Sequence, residues 1–520
     1  MAVVYPLANG NWSTVVNWYS GGIPYGSLPL STDDVFTNGK TLTLDIDNVT
    51  VNTLSNYAGT GIVANGSLTI SSNKTFTCNN ITANLNTVLF ITSTSNTINL
   101  ISTTINGSAG NIIYVVSISG TSGTVNITST NIIGNGQNGG GGAVGNSGSG
   151  TVNITSTITS TNNYAIQNIS NGIINITGNI TSSSVGIQSV NQNGSGGIIN
   201  ITGALLGGSF ATGSCIYNTL GTVNILSNQT MTGTTGIAVT SNSGTTNFGT
   251  VGTPITITGA PSSAASSMYA CYHLGGGNVN LYGNIVLQNY SFSISLGLFR
   301  YGTTSGTMTI NGNITAGTVA NTIALNIENT GTVTVNGNVT GGSNATNTPA
   351  IYITQAGTIN INGTTTSNSY PAIYSTVTTA KFNLLGNVVN VGSMPAYFGS
   401  FNIKISPTVA QQFTFQDTNN ANRIIATSNI SPGAPSVGNV RFGTVYGSSS
   451  EFTGTLRVPN PNTVSLGVLT DNTTGTMLMT PADFWGVASS GLTTVGSIGE
   501  RLKTASTVQS NGDQLASYIV

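Results

Sequence analysis

The chain has 520 residues, of which 68 are glycine and only 10 are basic and 11 acidic, for a net charge of −1. An ordinary soluble protein is about one quarter charged, and so neutral a chain excludes an electrostatic footprint for nucleic acid or for an anionic membrane surface. Because 38 % of residues are hydrophobic and many of these are β-branched, disorder is excluded as well. Val, Ile and Thr among abundant Asn and Gly predict an all-β protein.

The chain starts MAVVYPLANGNW, which lacks the basic start and apolar run of a secretory signal, and no window approaches a transmembrane helix. Residues 1–38 concentrate Trp12, Trp18, Pro24 and Pro29, large and rigid side chains suited to covering the open end of a repeat array. Carboxylates gather nearby as Asp33 with Asp34 and Asp45 with Asp47. They read either as a cation or acid/base cluster or as turn-forming and edge-protecting groups. The second reading is favoured, because adjacent strand residues point to opposite faces, although Asp45 and Asp47 share one.

From there to residue 405 the sequence repeats. A glycine followed by alternating apolar residues occurs as GTVNIT at Gly123 and Gly150, GIINIT at Gly172 and Gly197, and GTVNIL at Gly221. Looser copies start at Gly244, Gly277, Gly306, Gly331 and Gly357, with KFNLLG from Lys381 and FNIKIS from Phe401 following. GKTLTLD from Gly39 and GSLTIS from Gly66 read as earlier relatives. Period two places Val125 and Ile127 on one side of a strand and Asn126 and Thr128 on the other. A second apolar segment precedes each glycine, as in AIQNI, GIQSV, CIYNT, GIAVT and AIYIT, and a third, such as Asn179 to Thr181, follows closely. Three short strands in about 25 residues describe one coil of a parallel, right-handed β-helix solenoid. Residues 39–405 then make roughly 15 coils and a rod about 70 Å long, at about 4.8 Å per coil.

Chemistry is sparse along this wall. Between Asp47 and Glu328 there is no Asp or Glu, and the only cations are Lys74 and Arg300, so the two carboxylates of a glycosidase are missing there. Arg300 beside Tyr301 is the one pair a lyase could use, and a plain surface arginine explains it better. His273, the sole histidine, reads as structural. Cys78, Cys215 and Cys271 are odd in number and widely spaced, so they predict buried free thiols rather than a disulfide framework. The run GNGQNGGGGAVGNSGSG from Gly134 lacks the Lys-Ser/Thr of a phosphate loop and reads as a protruding loop. Asn-x-Thr triplets at Asn126, Asn153, Asn175, Asn179 and Asn200 resemble glycan acceptors, but strand alternation accounts for them. No catalytic residue, metal site or cofactor is predicted.

One column has functional promise. In the AIY segments the residue after Ile faces outward and reads, coil by coil, Gln167, Gln188, Tyr217, Ala238, Tyr272, Tyr352 and Tyr374. Aromatic rings and amides in a stripe suit sugar binding or a subunit interface, and the interface is the better fit.

Residues 406–436 lose the repeat and end in SPGAPS, a transition or linker. Residues 437–520 read as a small mixed α/β domain for assembly or attachment: VRFGTVYG and FTGTLRVPNP as strands, TPADFWGVA and SIGERLKTAS as helix starts with N-terminal capping patterns. The C-terminal segments NVRFGTVYG, FTGTLRVPNPNTVSLGV, DNTTGTMLMTPADFWGV and GSIGERLKTASTV resemble a module recurrent in tailed-phage virion proteins. The opening GNWSTVVNWYSGGIP with DDVFTNGKTLTLD is similar to the start of phage and bacterial surface β-helix proteins. These resemblances imply a virion component, a tail fibre, spike or head-surface appendage, assembled in host cytoplasm and exposed on the particle. The expected function is non-enzymatic host-surface glycan adhesion by a homotrimer that also contacts other virion proteins. Two alternatives are a capsid-decorating or tail-building protein without a receptor and a depolymerase with an inter-subunit site.

Overall fold

The computed structural model describes residues 2–56, 66–71, 73–83, 87–92, 96–107, 114–120, 122–135, 142–161, 164–182, 190–206, 216–231, 237–259, 267–287, 294–302, 306–317, 322–342, 349–367, 371–377, 380–384, 388–390, 397–399, 402–405, 412–416 and 422–426, and then 440, 443–446, 452–453, 460–470, 473–478, 495, 500–501 and 504. Two compact units divide at Pro432 and Gly433. The first is a parallel β-solenoid in which each coil contributes a strand to three faces. In one coil these are Ile166–Asn168 on the first face, Ile173–Thr177 on the second and Ile180–Ser182 on the third, each paired in parallel with its counterpart in the next coil.

Every aligned segment from GTVNIT at Gly123 to the strand Asn402–Ile405 falls on the second face, in sequence order. The first parts of Val49–Ser55, Lys74–Ala83 and Thr97–Gly107 precede them on that face, and their later parts continue onto the third face, where Asp34–Phe36 pairs with Thr53–Ser55. The two early relatives do not: Thr41–Leu44 and Ser67–Ile70 pair with each other on the first face. Both faces bury alternate residues, so period two alone does not distinguish them.

The interior is built from columns. Ile174 lies in register with Ile199 and Ile176 with Ile201, all buried. On the first face Leu42, Leu68, Leu89, Val116, Val144, Ile166, Val190, Ile216 and Val239 follow one another without exposure. Each such side chain contributes about 1.5–3 kcal/mol on burial, but only when a coil lies above or below it, which is why the sequence must repeat.

The corners are where the chain has least room. At the corner between first and second faces a Cβ on Gly172 would fall on the Gly148 carbonyl oxygen, and one on Gly197 on that of Ser170. The glycine that opens each GIINITG is therefore required by the closeness of the coil below. Behind it runs a ladder of buried amides. Asn146 Nδ2 donates to Asn168 Oδ1 at 3.0 Å, and Asn168 Nδ2 donates to Gln192 Oε1 at 2.9 Å and to the Gly172 carbonyl at 2.9 Å. Gln192 Nε2 in turn donates to the Gly194 carbonyl at 2.8 Å, and Asn218 and Ser241 continue the column. At the corner between second and third faces, Ser102 and Ser129 turn their hydroxyls back onto the carbonyls of Thr104 and Asn131 at 3.0 and 2.9 Å. At Gly178, with φ +139°, the strand breaks there instead, whereas Asn278–Leu287 again runs through the corner.

A second amide ladder runs outside. On the second face Asn99, Asn126, Asn153, Asn175, Asn200, Asn224, Asn247 and Asn280 are joined head to tail, each Nδ2 donating to the Oδ1 one coil earlier at 2.7–2.9 Å. In the triplets at Asn126, Asn153, Asn175 and Asn200, the nitrogen that would carry a glycan is a rung of this ladder.

At the N-terminus Val3–Pro6 pairs in parallel with Asp34–Phe36 and antiparallel with Trp18–Ser20, which pairs antiparallel with Ile23–Pro24. The N-terminal segment is thus part of the solenoid edge and ends parallel growth with a proline-bearing strand. Trp12 and Trp18, both fully buried, pack edge to face at 4.9 Å, and Trp12 meets Phe76 at 5.8 Å. At the other end Gln412–Gln416 pairs antiparallel with Asn422–Ala426 and bridges to Tyr397 on the first face. This stretch, expected as a transition, therefore holds a hairpin. Gly142–Asn146, expected as loop, is a buried strand of the first face; residues 136–141, SPGAPS and TPADFWGVA lie outside the described residues. In the second unit Val445–Tyr446 pairs with Phe452–Thr453 and Leu469–Thr470 with Thr473–Thr474. Within SIGERLKTAS the described residues Glu500, Arg501 and Thr504 are helical, and Thr504 Oγ1 donates to the Glu500 carbonyl at 2.9 Å.

The two ladders differ in what their loss does. Asn168→Leu leaves the buried Gln192 Oε1 without its donor, while Asn146 Nδ2 keeps the Gly148 carbonyl and the Gly172 carbonyl keeps Ile198 N. At about 1–3 kcal/mol for the orphaned acceptor, the substitution is expected to lower protection of Ile166–Asn168 and Val190–Gln192 by about that much in native-state hydrogen exchange. Asn175→Thr is expected to change it by less than about 1 kcal/mol, since Thr309 and Thr334 occupy that same column naturally.

Candidate interaction surface on the first face

The outward residues expected as one stripe fall into two columns. Gln167 pairs with Asn191, Asn191 with Tyr217 and Tyr217 with Thr240. Two positions earlier along the strands a separate column runs from Ala238 through Tyr272, Phe299, Asn326, Tyr352 and Tyr374 to Phe398. Gln188 itself lies outside the described residues, and Asn191 takes the rung expected for it. Interior packing sets this register: Val190 stacks on Ile166 while Gln192 meets the Asn168 amide. Likewise Ile216 stacks on Val239 rather than on Ile237, which moves Ala238 out of line with Tyr217. A shift of two residues keeps the same residues inward, so alternation could not reveal it.

Tyr352 and Tyr374, both half-buried, stack with ring centroids 5.3 Å apart and planes within 6°. Their facing surfaces are covered by each other. What the pair presents outward is ring edges and phenol oxygens, whereas a sugar packs on an open ring face. The geometry therefore suits a flat protein contact, in which tyrosine is enriched, better than sugar stacking. Tyr217 is half-buried on the other column, between Asn191 and Thr240, and Tyr272 is placed by its backbone register alone.

Three residues that the repeat pattern did not single out join this surface. Asn326, 5 % exposed, sits in register with Tyr352 and donates through Nδ2 to Glu328 Oε1 at 3.2 Å. Alternation in TIALNIEN signals both, since Asn326 and Glu328 follow the inward Leu325 and Ile327. Tyr114 is another: its ring occupies the space that a side chain on Gly145 would fill. Burial, with Tyr164 nearby, pushes its phenol up to about 12.

Arg300 pairs with His273 and Ile327, and Tyr301 with Leu274 and Glu328, so by backbone register the two neighbours belong to alternate columns; their side chains lie outside the described residues. His273 is fully buried, one coil on from Val239 in the inner column. Cys78 and Cys271 are buried free thiols, each pushed up to about 12 by burial; Cys215 lies outside the described residues.

The N-terminal carboxylates are each held by the local chain. Asp33, 2 % exposed, accepts from Tyr25 Oη at 2.6 Å, Leu30 N at 2.8 Å and Ala2 N at 3.3 Å. Asp34 accepts from Asn52 Nδ2 at 2.7 Å and Thr53 Oγ1 at 2.9 Å. Asp45 takes the backbone N–H of Ser13 at 2.8 Å together with its hydroxyl, and Asp47 takes Thr75 N at 2.7 Å and Asn48 N at 2.8 Å. They pin the terminal segment to the coils, as expected of turn-forming and edge-protecting groups.

Burial raises the Asp33 and Asp45 carboxyls, but the hydrogen bonds they accept outweigh it and leave both below the ordinary value. Asp47 is lowered chiefly by the Thr75 and Asn48 backbone donors. A carboxylate depressed in the folded state stabilises fully above its unfolded pKa, about 3.9, and loses that contribution as pH falls through the folded value. Thermal stability of the N-terminal segment, followed by tryptophan emission, is expected to be flat from about pH 5 to 7 and to fall below about pH 4. Asp33→Asn is expected to lower the plateau and flatten the acid limb.

In comparisons with known proteins, no family model, no curated protein and no solved structure matches the chain.

Proposed function

We propose that this chain is a non-enzymatic structural rod of a tailed-phage particle, exposed on its surface, self-associating as a homotrimer through the first face and used for adhesion to host-surface glycan. The observation that carries the self-association is the parallel Tyr352–Tyr374 stack, an aromatic patch on the flank of an otherwise polar rod. The resemblance of the terminal segments to virion proteins supports the setting. The long solenoid, with the only four carboxylates before Glu328 tied into hydrogen bonds, supports a mechanical and adhesive role over a hydrolytic one.

In this reading each part has a physical task. Stacked coils give stiffness, since every strand is held on both sides by its neighbours. Near-neutral faces leave the rod without long-range attraction to nucleic acid or lipid. Antiparallel pairing at the two ends of the ladder keeps rods from joining end to end.

Tyr352→Ala with Tyr374→Ala is expected to convert the oligomer to monomer in light scattering, with melting temperature of the monomer unchanged. An unchanged oligomer would remove the first-face contact. Free rod is expected to block adsorption of particles to host cells, and the purified oligomer is expected to release no reducing ends from host capsular polysaccharide. Release of reducing ends would replace the adhesin by a depolymerase, and absence of any block on adsorption would leave a decorating or tail-building protein.

A further inference from the structure

The second face carries a surface that neither the aromatic columns nor the caps explain. From Asn99 to Asn280 each coil presents its ladder amide, flanked along the strand in several coils by other small side chains: Thr124, Asn126 and Thr128 in one coil, Thr151, Asn153 and Thr155 in the next. The amides are half-buried and the flanking residues half-buried or exposed. Alternate residues of a strand lie about 6.8 Å apart and coils about 4.8 Å apart, so hydroxyls and amides form a flat grid.

Each amide spends one N–H and one oxygen lone pair on its neighbours in the ladder. An asparagine has two N–H groups and two lone pairs. One donor and one acceptor per coil therefore remain, and the ladder fixes their direction. Groups held this way lose little freedom when they bind.

We propose that this second-face grid binds a neutral polysaccharide chain laid along the rod axis, each successive coil meeting a further stretch of sugar. The inference rests on the adhesion reading and moves its sugar contact away from the tyrosines. Chemistry selects the occupant. A sugar hydroxyl both donates and accepts, so it can meet either remaining valence of the amide. A protein partner would need a large apolar or aromatic centre to bury, and the apolar or aromatic residues of the outward columns, Ile101, the neighbours Ile173 and Ile198, and Tyr282, are scattered over the coils from Asn99 to Asn280 rather than gathered in one. A polyanion would need cations, and between Lys74 and Arg300 there are none. Because each rung offers only exposed hydrogen bonds, affinity must accumulate over many rungs, as in multivalent binding.

The test uses the full chain in affinity electrophoresis through gels containing neutral β-1,4-linked or α-1,6-linked glucans of graded length, with anionic alginate for comparison. At least one neutral glucan is expected to retard the protein, more strongly as its chain lengthens. The triple variant Asn153→Val, Asn175→Val, Asn200→Val is expected to weaken retardation at least tenfold. Valine suits an exposed strand position, and an unchanged melting temperature certifies the fold. The corresponding triple Asn→Thr variant keeps a hydroxyl and is expected to lose less, while the Tyr352→Ala, Tyr374→Ala protein retains binding per chain. The proposal is overturned if no neutral glucan retards the chain, if alginate does so equally, or if the folded valine variant binds as well as the parent. Blocking of particle adsorption separates the two ideas. Equal blocking by parent and valine variant would remove this surface and keep the adhesin, whereas glucan binding through the asparagines without any blocking would keep the surface and remove the adhesin.

Discussion

Everything in this rod depends on closing each coil one strand spacing above the last. The flat faces are simple to satisfy, since parallel strands stack in register and aliphatic columns fill the interior. The corners are not: backbone of one coil presses on backbone of the next, and polar groups that a straight strand would pair are turned inward. Glycine solves the first problem at Gly172 and Gly197, where a side chain would meet a carbonyl oxygen. The buried run from Asn146 through Asn168 to Gln192 solves the second, each amide bonding both to its neighbour and to a corner carbonyl. An unsatisfied group at such a place would be costly, so corner and ladder are one device.

That pairing explains which parts of the fold were legible in the sequence. The second face repeats as glycine plus alternating aliphatics, a signal carried by the very residues that the corner and the core demand, and Ile174 over Ile199 could be read directly. The first face could not be aligned to better than two residues, because its strands are short and a two-residue slip conserves every inward and outward position. Its register depends on Asn168 meeting Gln192, and asparagine beside glycine reads as a turn, so the interaction that sets the alignment looked like loop. The same ambiguity assigned Thr41–Leu44 and Ser67–Ile70 to the wrong face and hid Gly142–Asn146 within a glycine-rich run.

The aromatic stripe shows how a correct composition can carry an incorrect arrangement. Tyr217 and Tyr352 do face outward, yet they belong to columns two residues apart, and the rings that lie together, Tyr352 and Tyr374, cover one another. Counting aromatics suggests a sugar platform; the angle between the rings argues for contact through edges and hydroxyls. Asn326 and Glu328 enter that surface only because register brings them beside Tyr352. Glu328 had served merely to mark the end of the acid-free wall.

Uniformity and recognition are often set against each other, on the reasoning that a repeated residue is architectural and a variable one functional. The outer asparagine ladder weakens that opposition. Its members need not be asparagine for the coil to close, since Thr309 and Thr334 hold the same column and the corner does not involve them. Each rung bonds its neighbour at 2.7–2.9 Å from Asn99 to Asn280, which fixes direction and spacing together. A ligand that is itself a repeat gains from such sameness, because every added rung meets an equivalent group, and a variable surface would offer it only one good position. The features that a stacking constraint produces without selection for binding, flatness and a fixed interval, are therefore also those that a polymeric partner requires.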